Sequence, residues 1–405
     1  MTAIKLFDQK HIILGVTGSI AAYKAAEIAS RLTQSGVLVD VILTANAEKF
    51  ITPLTFQSVT GRRAYTDADM WGREGHVTHV AIGHYADLMV IAPATANTLA
   101  RLAYGMGDNL LCVAALAAHC PIIIAPAMDA GMYSHPATQA NVETLRQRGT
   151  LFIGPETGHL ASGLTGPGRM SEPAEIFGAI RHTLGRLGPL SGKKVVVTAG
   201  GTQEAIDPVR VISNRSSGKQ GFAVAQAALD AGARVFLIAG HNSLIPPYGC
   251  DYFPVTSARE MAEAVLSSTA DADILIMAAA VADFRPGEMA SQKIKKDQGA
   301  PVIKLEPTED ILSLVAQRKT SSGFPRKTVG FAAESQDLLK NASHKLHSKA
   351  LDMVVANDVS SAATGFDVDD NKVTFLFADG SMESMSTLPK SEVGNKIIEK
   401  ALAWF

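Results

Sequence analysis

Two distant stretches of the chain share one grammar. HIILGVTGSIAAYKAAEIASRLTQSGVLVDVILT, from His11, reads as apolar strand, small-residue loop, helix, glycine turn and second apolar strand. KKVVVTAGG, from Lys193, begins the same way and carries a long insertion after its first strand. It then reaches ARVFLIAG through the helical pattern of GKQGFAVAQAALDAG. Strands that read as near-continuous apolar runs are buried on both faces, as parallel strands of βαβ units are. ADLMVIAPA and CPIIIAPAM add such runs to the first half, DADILIMAAAVAD and ALDMVVANDV to the second. KVTFLF reads as a late edge strand and SEVGNKIIEKALAWF as a closing helix. The break falls in GRLGPLSGKK, near Gly188. The expected fold is therefore α/β, with two doubly wound Rossmann-like domains spanning 1–188 and 191–405.

Charge and cysteine content narrow the class of function. With 37 basic and 39 acidic residues the net charge is −2, so no global field attracts nucleic acid. The three cysteines, Cys112, Cys120 and Cys250, have no CxxC pairing, and a reducing cytoplasm is the expected location. Cys112 reads as a buried apolar residue, and GDNLLCVAALAA as a fully buried helix. The N-terminal residues contain no signal-peptide core, and the apolar stretch from Leu110 to Met128 is broken by His119, Pro121 and Pro126. No membrane partner is expected.

Candidate ligand groups cluster where strands end. GVTGSI puts small residues at a strand-to-helix turn, where free amides and the positive helix end suit a phosphate, although the spacing is neither GxGxxG nor Walker A. Thr95, Asn97 and Asn109 follow the next strand, and PAMDAGMYSHPATQ the one after. HLASGLTGPGRM, from His159 to Met170, is punctuated by glycine and proline and reads as a lid without helix or strand, carrying Ser162. In the second half, TAGGTQEAIDPVRVISNRSSGKQG resembles a phosphate cradle. Lys293 and Lys295 share a face if extended, and Lys345 and Lys349 share one side of a helix.

GVTGSIAAYK, THVAIGHYADLMVIAPATANTLARLAYGMGDNLL, the PAMD and HPATQ runs and GPGRM resemble the flavin-dependent cysteine decarboxylases. The resemblance implies FMN bound around Gly15, Thr17, Gly18, Ser19, Ile20 and Ala21. Thr44, Ala94, Thr95, Asn97, Met106 and Asn109 complete that implied site. It implies oxidation of a cysteinyl thiol to a thioaldehyde, loss of the adjacent carboxylate, and hydride return to the enethiol. His79 is the implied base or substrate clamp, while His76 and His84 read as solvated. Two positions depart from the family pattern. Asp129 stands where an asparagine is usual, and Ser162 where the cysteine acid is usual. A carboxylate beside a substrate carboxylate is repelled unless one is protonated, so Asp129 is expected to be raised and to replace the missing acid.

The second half resembles phosphopantothenate–cysteine ligase. Fused in this order, the pair is similar to the bacterial bifunctional decarboxylase/ligase of coenzyme A synthesis. The resemblance implies that Asn214 handles an acyl-nucleotide and that Lys293 is the active-site lysine. It implies a CTP site at Asp283, Lys293, Glu309, Asp310, Ile311 and Leu312, completed by Phe331, Lys345 and Lys349, with Mg²⁺ and no assigned metal ligands. Its substrates would be 4'-phosphopantothenate, cysteine and CTP. A homo-oligomer, as large as a dodecamer, is also implied. Two other readings stay open. One is an active ligase whose flavin half decarboxylates but reduces poorly; the other is a non-enzymatic flavin-binding regulator.

Overall fold

The structure is a computed structural model that describes residues 6–71, 83–295, 302–334, 337–358 and 368–405. These residues form two compact units, the first ending at Leu184 and the second beginning at Gly185. His79, His76 and Lys296 lie outside the described residues.

The first unit is built on strands β1 (His11–Val16), β2 (Leu38–Leu43), β3 (Ala64–Tyr65), β4 (Leu88–Ala94), β5 (Ile122–Pro126) and β6 (Leu151–Phe152). They form one sheet in the order β3-β2-β1-β4-β5-β6, every neighbouring pair parallel. The order reverses between β1 and β4, which is where such sheets open a ligand crevice. Alternation divides each strand between two cores. Ile12, Leu14, Val90 and Ile123 pack against Ile28, Leu32, Phe56 and Ile180 on one face. Ile13, Met89, Ile91 and Ile124 pack against Leu99, Leu111 and Val142 on the other. Each such buried side chain contributes about 1.5–3 kcal/mol. The helix Leu110–Ala117 departs from its expected full burial: Leu116 is 59% exposed.

The glycine-rich stretch also departs from expectation. It is a hairpin in which β7 (Glu156–His159) and β8 (Thr165–Arg169) pair antiparallel, with a bulge at Glu156/Thr157. Its glycines serve close approach rather than disorder. Gly168 has φ 155°, and a Cβ there would stand 2.2 Å from the Met128 carbonyl oxygen. The Met128 amide in turn donates to the Gly168 oxygen at 3.0 Å, docking the hairpin on the loop after β5.

The second unit contains β9 (Lys194–Ala199), β10 (Gln203–Ala205), β11 (Val211–Ser213), β12 (Arg234–Ala239), β13 (Asp251–Pro254), β14 (Ile274–Met277), β15 (Phe284–Pro286) and β16 (Leu305–Pro307). They are followed by β17 (Lys327–Glu334), β18 (Met353–Asp358), β19 (Asp370–Asn371), β20 (Val373–Phe377), β21 (Met382–Ser384) and β22 (Leu388–Pro389). The main sheet runs β13-β12-β9-β14-β17-β18-β20-β21. The long insertion after β9 holds the hairpin β10–β11. KVTFLF is not the edge strand: β20 pairs antiparallel with both β18 and β21, so β21 forms the edge. The run KTVGFAAE is a central strand, β17, that polar and glycine residues hid from a search for apolar runs. Again both faces are covered: Val195, Val197 and Val355 face one core, Val196, Leu275 and Val354 the other.

Candidate functional sites

Each unit has a pocket at the C-terminal ends of its parallel strands. The first has a volume of about 640 Å³. Gly18, Ser19, Ile20, Ala21 and Thr95 line it, as do Asp129 and Ser162 from the opposite loops. The helix Ala22–Gln34 follows Ala21 with no side chain capping it; the Ala22 and Lys24 amides already donate to the Ser19 and Ala21 oxygens, which leaves the Tyr23 amide of that turn for a ligand. Gly18 is packed tightly behind the pocket: a Cβ on it would stand 2.5 Å from the Asn46 Cβ, so the turn requires glycine there. An uncapped helix start lined by small residues fits a phosphate-bearing cofactor such as FMN.

Other residues expected at this site work behind it. Thr17 is buried; its hydroxyl donates to the Pro93 oxygen at 2.7 Å and accepts from the Thr95 amide at 3.1 Å, tying the loops after β1 and β4 together. Asn109 is buried and caps the helix Leu110–Ala117, its Oδ1 accepting from the Cys112 amide at 2.9 Å. Gly15 lies inside β1 against Leu111, and Ala94 is buried at the end of β4. Thr44, Asn97 and Met106 do not line the pocket, and the last two are exposed.

The structure joins the two departures from the family pattern. Ser162 Oγ donates to Asp129 Oδ2 at 2.6 Å, across 33 residues of sequence. Asp129 Oδ1 also accepts from the Gly131 amide at 2.9 Å. The Ser162 hydroxyl first, and then that amide, hold the Asp129 carboxyl below its usual range. Both bonds favour the carboxylate, so the expected rise of Asp129 depends on a substrate carboxylate beside it and not on its protein neighbours. The lining also includes Lys24, whose ammonium contacts Glu172 at 2.9 Å, and Arg169, which contacts Glu172 at 2.6 Å. Lys24 follows GVTGSIAAY directly, but its partner lies 148 residues away, so the sequence carried no signal of the pairing. The buried Cys112 thiol is pushed up to about 11, by burial above all, which suits its apolar setting and not proton transfer near neutrality.

The second pocket has a volume of about 920 Å³. It gathers Asn214, Asp283, Phe331, Lys345 and Lys349, together with Glu309, Asp310, Ile311 and Leu312. Asn214 Nδ2 donates to the Val281 oxygen at 3.0 Å and the Ala280 oxygen at 3.4 Å, bringing the loop after β11 onto the loop after β14. Lys345 Nζ donates to the Phe331 oxygen at 2.7 Å from the helix Leu338–Ser348, and Lys349 stands just past that helix. Lys349 bonds Asp310 Oδ2 and Ser313 Oγ, while Asp310 caps the helix Ile311–Ser322. Burial would raise the Asp310 carboxyl, but the Lys349 ammonium and the Ser313 amide overcome it and hold it low. The helix Lys219–Asp230 also opens on this pocket, behind Gly218 and without a side-chain cap.

Lys293 stands apart. It is exposed and does not line the pocket. Its neighbour Ile294 is anchored instead: the Ile294 amide donates to the buried Asp207 carboxylate at 3.2 Å, and Arg210 contacts both Asp207 Oδ2 and the Ile294 oxygen. Asn341, His344, Asn357, Asn371 and Lys390 also line this pocket, outside the stretches that read as ligand groups. Neither spacing nor periodicity marks them.

Comparison with known proteins covers both units. A family model described as "Flavoprotein" matches residues 5–185, and one described as "DNA/pantothenate metabolism flavoprotein C-terminal domain" matches residues 190–404. The coenzyme A biosynthesis bifunctional protein CoaBC of Bacillus subtilis (strain 168) is 43% identical over 401 residues, covering 98% of each chain. That of Vibrio cholerae is 46% identical over 375 residues, 92% of each chain. A crystal structure of the C-terminal domain of a CoaBC protein is 36% identical, covering 54% of this chain and 97% of that one, with a TM-score of 0.46. With two adjoining family matches and full-length relatives above 40% identity, the chain belongs to the family of bifunctional coenzyme A biosynthesis proteins, CoaBC.

Proposed function

We propose that the second unit joins 4'-phosphopantothenate to cysteine with CTP, and that the first decarboxylates the product to 4'-phosphopantetheine. The observation that carries this reading is the gathering of Asn214, Asp283, Asp310, Phe331, Lys345 and Lys349, from separate segments, around one pocket. A carboxylate is a poor acyl donor, so its oxygen first attacks the α-phosphate of CTP and pyrophosphate leaves. Lys345 and Lys349 neutralise charge gathered by that step, and Lys293 joins them from its anchored segment. Phe331 faces the nucleotide, and Asn214 holds the acyl-cytidylate against the loop after β14. Mg²⁺ bound with the nucleotide would screen the charge of its phosphates.

In the first unit, the turn Gly18 to Ala21 and Thr95 would hold FMN, which would supply two-electron oxidation of the substrate thiol. His79 acts as base or clamp. The Ser162–Asp129 pair handles the closing proton: with the substrate carboxylate beside it Asp129 takes up a proton, the Ser162 hydroxyl turns to give its own proton to the substrate, and Asp129 replaces it in the same step. We assign the protein to the cytoplasm as a homo-oligomer. Mass spectrometry of a mixture of phosphopantothenate, CTP, Mg²⁺ and cysteine tests the whole reading. The saturated 4'-phosphopantetheine is expected; phosphopantothenoylcysteine alone, or the unsaturated enethiol alone, would limit the chain to part of it.

A further inference from the structure

On the face of the second sheet that packs against the helix Lys219–Asp230, β18 runs Met353, Val355, Asn357 and β20 presents Phe375 and Val373. Val373 pairs with Asn357, and continuing the alternation back from Val373 brings Asn371 to the same face. The two apolar rows therefore both end in an amide, and both amides line the 920 Å³ pocket. Asn371 is only 2% exposed. The Oδ1 atoms of Asn357 and Asn371 are buried and have no hydrogen-bond partner among the described residues. Such atoms are rare in folded proteins and call for an explanation.

The orientation of Asn371 follows from its neighbours. The Lys390 carbonyl can only accept, and Gln220 Nε2 donates to it at 3.1 Å. Gln220 Oε1 must then accept, and Asn371 Nδ2 donates to it at 3.0 Å. This leaves Asn371 presenting an oxygen. A phosphate oxygen is repelled by such a corner, whereas an ammonium or amine is drawn to it.

We propose that Asn371 and Asn357 form the amine subsite of the ligase, accepting hydrogen bonds from the amino group of the α-amino acid substrate. Lys390 and Lys219 border the same pocket, bonded to the Val368 oxygen and Asp369, and supply positive charge for the substrate's carboxylate. This rests on the ligase reading above. The subsite orders the second half-reaction. The ammonium loses one proton to solvent, its nitrogen forms the C–N bond at the acyl carbon and loses a second proton, and the acyl C–O bond breaks as CMP leaves.

The test separates the half-reactions in the full-length protein. Acyl-cytidylate formation is measured without cysteine, and the KM for cysteine in complete turnover. Asn371→Ala and, as an independent second variant, Asn357→Ser are expected to raise the KM for cysteine at least tenfold. Both should form the cytidylate within twofold of the unaltered protein. A parallel fall in cytidylate formation would assign the corner to the nucleotide and overturn the proposal, as would an unchanged KM in both variants. An unaltered protein that forms no cytidylate would instead remove the ligase reading, and the subsite with it.

Discussion

The two pockets occupy corresponding ends of similar sheets, yet they solve anion binding differently. Among the described lining residues of the first, Lys24 and Arg169 face Asp129 and Glu172, so charges balance. In the second, Lys219, Lys345, Lys349, Lys390 and Arg215 outnumber Asp283, Glu309 and Asp310. A bound monophosphate can rely on backbone amides at a helix start, which add no net charge. A triphosphate concentrates several negative charges and calls for surplus cations. The first site therefore depends on backbone close approach, and the second on side-chain charge.

The largest expected effect breaks the first site alone. Gly168→Ala forces a methyl group against the Met128 oxygen and lifts the hairpin off its loop. Decarboxylated product should fall by roughly 10²-fold or more, the scale expected for an ångström of misplacement. Ligation product in the same mass-spectrometric assay should persist, and equal losses of both products would refute the separation. Lys345→Met and Lys293→Ala test the converse. Each removes a charge-assisted contact of about 2–4 kcal/mol, a fall of roughly 10²–10³ in pyrophosphate release. Normal turnover in Lys293→Ala would leave that exposed lysine outside the chemistry.

Stability provides smaller contrasts. Asp40 is buried in the first unit, and its carboxylate is bonded by His11 at 2.6 Å and Arg62 at 2.8 Å. Arg62→Leu should cost about 1–3 kcal/mol by leaving that carboxylate short of a partner. Chemical denaturation should show the loss in the first unit's transition and not the second's.

Acid should weaken both units. Burial would raise Asp40 and Asp352, but His11 and Arg62 in one case, and Lys327 and Lys319 in the other, hold each below its usual value. With folded values below unfolded ones, their contribution is complete above about pH 4 and disappears as pH falls through the folded values. Lys327→Met should make the second unit's melting temperature less sensitive to acid while the first keeps its full decline. The smallest effect is local: Ser162→Ala should let the Asp129 carboxyl titrate at a higher pH, read by NMR, and no change would mean that the hydroxyl bond does not hold the carboxylate.

Much of the fold was legible because its signals are local. The apolar runs around Ile13, Val90, Ile123, Val196 and Leu275 became central strands as their composition required. The lysine pair Lys345 and Lys349 and the loop at Asp310 also met as their motifs suggested. Local punctuation misled where contacts made elsewhere overrode it. Glycine and proline in HLASGLTGPGRM counted against a strand, but the loop at Met128 accommodates β8 because those residues are small.

By itself, the amino-acid order determined most central strands of the two sheets and their apolar cores, since alternation and helical periodicity act over a few neighbouring residues. The meetings across long stretches of chain belonged to the tertiary structure. Ser162 reaches Asp129 across 33 residues, Lys349 reaches Asp310 across 39, and Asn371 reaches Gln220 across 151. Those side chains carry no periodic mark, and only closure of the sheets and docking of their loops brings a donor within reach of its acceptor.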